Sequence, residues 1–415
     1  MLREARSRWC DTRTAALEGG GVDRKIFLAM LFVSLGITPI SAEDIAFPKP
    51  IPGTTAKVCQ LTGDFDRERK EPTLSRTNER FGVPGTDLGN PIEHKGRLYF
   101  LFGDTPGKGN RWMRDPIAYT TSTDPERIVL QFLVDPDGKY RPITIPGISH
   151  LVFEAPAGGI SLRGTMYIVF ATDHTEQKTL GRSVLAASDD DGRTFRYLYE
   201  LSTDEFLEVS MAEVAPDQVK ELPFSVNTVL IWGSGEYRAS NPYLACVPSD
   251  KISDKSTLRY FAGLDESGKP IWKTSETDAV PLFEHRQIGE FSVVWCHQLN
   301  HWLMLYNSMN PRGIVFRSAT VPWGPWSDIE VIFDPVRDGY RKFMHTPSRR
   351  DGNDDGLSDP GRETAPGGGY APYMLKRYFR GNSKRCTIYF TLSTWNPYQV
   401  VLMRADIGYP DKESS

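Results

Sequence analysis

Histidine and cysteine are scarce in this chain of 415 residues, with seven of the first and five of the second. No spacing among them suits a zinc site. Basic charge has no surplus either: 49 Lys and Arg against 53 Asp and Glu leave a formal net charge of -4. That balance gives no electrostatic footprint for a nucleic acid or an anionic membrane. Sustained helical periodicity is missing, and no apolar run is long enough to span a bilayer comfortably. What is plentiful is turn chemistry. With 36 Gly, 30 Pro and 11% aromatic residues, the composition fits many short strands better than long helices.

The front of the chain reads as an address. Arg24-Lys25 precede the apolar stretch 26–37, and Pro39-Ile40-Ser41-Ala42 ends in small residues, the order of a secretory signal peptide. Residues 1–42 are therefore expected to be a signal peptide with an extended polar front. Residues 43–80 form a lead-in and 81–410 one β-propeller domain, a secreted or periplasmic monomer without a membrane span once processed. Cys10 falls in the leader. Cys59, Cys246, Cys296 and Cys386 permit two disulfides in three pairings, or stay as buried free thiols, since the last three lie in apolar strand-like runs.

One pattern recurs five times. Apolar runs end on a bulky residue followed by two small or polar ones, in YFLFGD, YIVFAT, VLIWGS, LMLYNS and YFTLST, ending at Asp104, Thr172, Ser234, Ser308 and Thr394. Each copy has a further strand downstream, and four have a Gly- or Pro-containing lead-in around Gly89, Gly159, Gly289 and Gly369; the third copy's lead-in is not legible. Antiparallel sheets repeated five times with little helix predict an all-β, five-bladed β-propeller. A β-sandwich is the alternative, but sandwiches do not need repeated strand endings. Ser188-Asp189-Asp190-Asp191-Gly192-Arg193-Thr194-Phe195 also fits the Asp-box turn seen on sialidase-type blades, a folding motif whose side chains satisfy backbone donors.

The repeat acts as an internal control. Where the other copies have Thr172, Ser234, Ser308 and Thr394, the first has Asp104, so a neutral residue suffices for the blade. If Lys95 and Gly96 are the two turn residues of the first hairpin, cross-strand partners have numbers summing to 191 and Asp87 faces Asp104. Like charges so placed destabilise a sheet but raise one pKa, giving a proton-holding acid beside an ionised base or nucleophile. A bulge at Gly89 or Pro91 would shift that register.

Other acids fall at the same end of their copies. Glu290 opens the fourth copy's first strand, Glu154 precedes the second copy's lead-in, Asp173 lies just past its strand, and Glu236 follows Ser234. Each also reads as an ordinary rim residue. Trp395, Asn396 and Tyr398 follow the last strand ending, an indole, an amide and a phenol suited to stacking on a sugar and bonding its hydroxyls; Asn307 offers similar chemistry. Core packing is the plainer role for Trp395. Asp351-Gly352-Asn353-Asp354-Asp355-Gly356 fits the first half of a calcium loop, but Arg362 stands where an EF-hand needs Glu. A structural calcium or a solvated acidic insertion both fit, and no cofactor is required.

Gly85-Thr86-Asp87-Leu88-Gly89 with Leu101-Phe102-Gly103-Asp104-Thr105, and Gly369-Tyr370-Ala371-Pro372-Tyr373 with Thr391-Leu392-Ser393-Thr394-Trp395-Asn396-Pro397-Tyr398-Gln399-Val400, resemble the domain of unknown function 4185. That family includes the endo-D-arabinanases of glycoside hydrolase family 183, which cleave the D-arabinofuranose polymers of arabinogalactan and lipoarabinomannan. The resemblance spans about 82–408 and implies a five-bladed glycosidase with Asp87 and Asp104 as its acidic catalysts. Residues 200–225 and 335–366 carry no such phrase.

The expected function is a secreted glycoside hydrolase cutting D-arabinan by paired carboxylates. Asp87 is the base or nucleophile, Asp104 the acid or the group that tunes it, and Glu290 and Glu236 are reserve acids. Glu154, Asp173, Asn307, Trp395, Asn396 and Tyr398 contact the polysaccharide. A non-catalytic carbohydrate-binding propeller is the alternative; a metal-dependent ester or phosphoester hydrolase ranks last, since the histidines form no ligand cluster.

Overall fold

The computed structural model describes residues 46–346, 355–357 and 367–409. The expected leader, 1–42, lies outside the described residues, as does most of the acidic loop at 351–356. Five antiparallel sheets follow one another along the chain. The first blade is built from Leu88–His94, Arg97–Phe102, Ile117–Thr120 and Gln131–Phe132. The second comprises Pro156–Leu162, Thr165–Thr172, Arg182–Ser188 and Arg196–Ser202. Glu208–Val214, Thr228–Ser234, Pro242–Pro248, Arg259–Leu264 and Pro270–Lys273 make the third. Phe291–Cys296, His301–Met309, Arg312–Ala319 and Glu330–Phe333 make the fourth.

The fifth sheet takes its inner strands from the C-terminal part, Gly369–Met374, Arg385–Thr394 and Gln399–Gly408. Its outer strands, Lys49–Pro50 and Ala56–Gln60, come from the N-terminal side and pair with Gln399–Gly408. The segment expected as a lead-in thus completes the last blade and closes the ring.

Five buried clusters, one between each pair of neighbouring blades, form most of the core, and a smaller sixth joins Leu88 to Tyr370, Ala371 and Tyr373. Leu98, Phe100 and Phe102 pack toward the fifth blade while Tyr99 and Leu101 pack toward the second. Trp302, Met304 and Tyr306 face the third blade, and Leu303 and Leu305 the fifth. A strand apolar on both faces reads as a continuous hydrophobic run rather than an alternation, which is why the five endings were legible. The Asp-box forms as expected: Asp190 Oδ1 accepts from Thr194 N at 2.9 Å and Ser188 Oγ accepts from Gly192 N at 2.9 Å. Asp191 then reaches back to the first blade's turn, 2.9 Å from His94 Nε2 and 2.6 Å from Lys95 Nζ.

All four described cysteines are buried free thiols, so the two permitted disulfides are not made. Among the described residues no helix is long and apolar enough to cross a membrane, and none of the His, Cys, Asp and Glu residues group as metal ligands.

Candidate active site

Antiparallel strands bring the start of each inner strand, the end of the next and the start of the third to one end of the ring. Asp87, Asp104 and Asp115 take those three places in the first blade. The hairpin keeps the expected register at its turn, His94 with Arg97, but shifts between Leu88 and Asn90. Leu88 and Gly89 carry φ of 61° and 90°, a bulge that glycine makes cheap. Asp87 therefore pairs with Gly103 rather than with Asp104: its carbonyl accepts from Gly103 N at 3.1 Å. The direct facing of Asp87 and Asp104 is corrected by one residue.

Gly103 is glycine for a steric reason. A Cβ there would lie 2.3 Å from Asp87 Oδ1. Gly103→Ala is expected to displace the Asp87 carboxylate and lower kcat by roughly 10²-fold. Steady-state rates set beside a thermal melt test this: a loss of rate that merely follows loss of fold would refute it.

Asp104 instead meets Asp115. The bridge between Thr105 and Arg114 extends to place the two aspartates opposite each other. At the matching position the other blades pair Thr172 with Arg182, Ser234 with Pro242, Ser308 with Gly313 and Thr394 with Gln399, none of them an acid pair. Burial first, then the Asp87 charge for Asp104 and the Asp104 charge for Asp115, holds both carboxyls well above the usual range. Phe153 N donates to Asp104 Oδ2 at 3.1 Å, and among the described residues the Oδ1 atoms of Asp87, Asp104 and Asp115 have no hydrogen-bond partner.

Asp87 is the milder case. Burial raises it to about 6, against hydrogen bonds from tyrosines that favour the ionised form. Tyr370 Oη donates to Asp87 Oδ2 at 2.8 Å, and Tyr398 Oη donates to the Asp104 carbonyl at 2.7 Å beside it.

Across the ring, Glu290 is buried and held by Arg238 through two hydrogen bonds of 3.1 and 2.8 Å, with Tyr237 Oη donating at 3.0 Å. Burial pushes its pKa up, but the Arg238 charge and its hydrogen bonds outweigh that and hold it below the ordinary value. Arg238 lies over the rings of Tyr237 and Tyr370, 4.8 and 5.1 Å from their centres, which links Glu290 to Asp87 through Tyr370.

The first residue of the third inner strand is Glu208. It is 8% exposed. Burial first, then the Glu290 charge, raises it well above the carboxylate range, with Asp87 adding to the effect. Sequence reasoning missed Glu208 because its strand joins the next by the long loop 215–227 and reads Glu-Val-Ser-Met-Ala-Glu-Val, without an apolar run. The same blade-to-blade comparison that singled out Asp104 would have found Asp115.

The other candidates spread around this end. Glu154 is buried and committed to its loop, accepting from Ser149 Oγ, Leu151 N and His174 N at 2.8, 2.7 and 2.9 Å. Asp173 pairs with Arg182 at 2.6 Å on the rim. Glu236 is exposed, on the loop that turns Tyr237 and Arg238 inward. Asn307 is buried in mid-strand opposite Ile314. Trp395 is 39% exposed and meets Tyr398 edge-on at 5.7 Å, while Asn396 is buried and its carbonyl accepts from His345 N at 3.1 Å. Of the calcium loop, Asp355 is described: it lies 2.9 Å from His345 Nδ1 and accepts from Thr346 N at 3.1 Å. A separate cavity of about 330 Å³ lies along the axis past Asn90, Ser210 and Ser292, and none of the site carboxylates lines it.

Fold and site together define a five-bladed propeller with an acidic axial face. The chain belongs to the family described as domain of unknown function DUF4185, whose model matches residues 73–404. It is 26% identical over 370 residues to notoamide biosynthesis cluster protein J of Aspergillus sp. (strain MF297-2), covering 79% of this chain and 88% of that one. Solved structures of similar fold include a GH43_1 enzyme from Xanthomonas citri (TM-score 0.42, 11% identity, 80% and 89% of the two chains). An exo-beta-1,3-galactanase from Phanerochaete chrysosporium is another (0.47, 8%, 84% and 63%).

Proposed function

We propose that this protein is a secreted glycoside hydrolase that cuts internal D-arabinofuranosyl linkages, with Asp87 and Glu208 as its working pair. The observation that carries this is the contrast between them. Burial and the Glu290 charge hold Glu208 well above the carboxylate range, which favours its protonated form, while Asp87, with a pKa of about 6, is mostly ionised at neutral pH. Two carboxyl groups whose environments push their pKa values apart are the signature of an acid and its base or nucleophile. Glu208 gives its proton to the glycosidic oxygen as the bond to the anomeric carbon breaks. The Asp87 carboxylate meets the positive charge developing on that carbon, by direct attack or by deprotonating a water. Asp104 and Asp115, neutral, keep a second full charge away from Asp87.

Preference for D-arabinan is supported by the family phrases, all of which meet at one point. Asp87, Asp104, Tyr370 and Tyr398 come one from each phrase and touch around the Asp87 carboxylate. Export rests on the charged, apolar and small-residue order of 24–42, and N-terminal sequencing of the processed protein tests it.

Incubation with arabinogalactan and with plant L-arabinan, followed by analysis of released oligosaccharides, tests the substrate. Products from arabinogalactan support the assignment, and products from neither, with tight binding to one, replace it with a carbohydrate-binding propeller. The pH profile is a second test. Asp87 must be ionised and Glu208 protonated, so kcat/KM is expected to fall tenfold per unit below a pH of about 6. An acid limb that stays in place in a Glu290→Gln variant would disconnect that limb from Asp87, because the Glu290 charge raises Asp87.

A further inference from the structure

The loop leading into the second blade carries a feature that neither its folding nor the acid–base pair uses. Phe153 has φ of 72°, a left-handed conformation that is strained for a bulky residue and that glycine would adopt freely. Its ring is nonetheless 38% exposed, with Leu151 beside it 59% exposed. The strain is held by Glu154, whose carboxylate binds Ser149, Leu151 and His174 at once. His174 supports the Phe153 ring from one side, with ring centres 5.1 Å apart. The same residue that exposes its ring donates its backbone N–H to Asp104. On the other flank Tyr398 reaches the Asp104 carbonyl, and Trp395, packed on Tyr398, exposes its indole.

We infer that Phe153 and Trp395 are two preformed stacking platforms on either side of Asp104, and that they bind sugar units of a polymer beyond the one being cleaved. This rests on the glycosidase assignment and deepens it: recognition extends along a chain, and Phe153 determines specificity for length rather than taking part in bond cleavage. A sugar ring fits the chemistry of the place, since it presents an apolar C–H face to an aromatic ring and hydroxyls to the carboxylates between the platforms. Holding the aromatic ring in advance, at the expense of strain, lowers the ordering cost of binding.

The test compares one long and one short substrate. For Phe153→Ala, kcat/KM on D-arabino-oligosaccharides is expected to fall roughly tenfold, the worth of one aromatic contact, with p-nitrophenyl arabinofuranoside changed less than threefold. Phe153→Trp is expected to restore the long substrate, and Phe153→Gly to lose it while melting no lower than the parent. Equal losses on both substrates, or none on either, overturn the platform. Oligosaccharide binding to the Asp87→Asn protein, measured by calorimetry with and without Phe153→Ala, separates the two levels. Binding that collapses with Phe153→Ala, together with no turnover by the parent protein, keeps the platform and removes the hydrolase. Turnover indifferent to Phe153 removes the platform alone, and neither binding nor turnover removes both.

Discussion

A Glu208→Gln variant is expected to lose roughly 10²–10⁴-fold in kcat on a natural glycan, the usual worth of a general acid, while keeping most of its rate on a dinitrophenyl glycoside. The reason is the leaving group. A sugar alkoxide cannot depart without a proton, whereas dinitrophenolate needs none. Stability should change little, because burial already favours the neutral carboxyl, so the amide replaces it at nearly constant charge. The alkaline limb of the pH profile, set by loss of the Glu208 proton, should vanish on the activated substrate. Asp87→Asn is the control and should fail on both substrates. An equal deficit in Glu208→Gln with either leaving group would assign the proton to another residue.

Glu290→Gln is expected to lower stability by about 1–3 kcal/mol, because it removes the charge that Arg238 and Tyr237 hydrogen-bond in a largely buried site. The sign with pH follows from the lowered pKa of Glu290. Its contribution is present above the ordinary value of 4.5 and disappears as pH falls through the lower folded value. The gap between variant and parent, measured by denaturant titration, should therefore close in strong acid. Activity should move as well. Glu290 raises both Asp87 and Glu208 while Arg238 lowers both, so removing the negative partner slides the whole bell of kcat/KM toward lower pH. A bell that moves upward, or a difference in stability unchanged down to acid pH, would contradict this account.

Much of the architecture was legible from residues alone, for one reason. A propeller strand buried against two neighbouring blades must be apolar on both faces, so Leu98–Phe102 and its four counterparts announce themselves as uninterrupted runs, and their repetition counts the blades. Asp104 was visible because the other four copies show what the position needs structurally. The third blade's inner strand, with two serine- and glutamate-bearing turns of the alternation facing the axis, has no such run; Glu208 was hidden with it. Glu290 was read as a reserve acid from its place at a strand start, yet its role is set by Arg238, which arrives from a loop 52 residues earlier.

The sequence by itself determined the repeat, the end of the ring at which the acids gather, and Asp104 as the exceptional member of its repeat position, because strand periodicity and strand endings are local properties. Only the tertiary structure decided which carboxyl keeps a proton and which is ionised. That depends on burial and on charges brought from four different blades, and on a single-residue bulge at Gly89 that turned Asp87 onto Gly103.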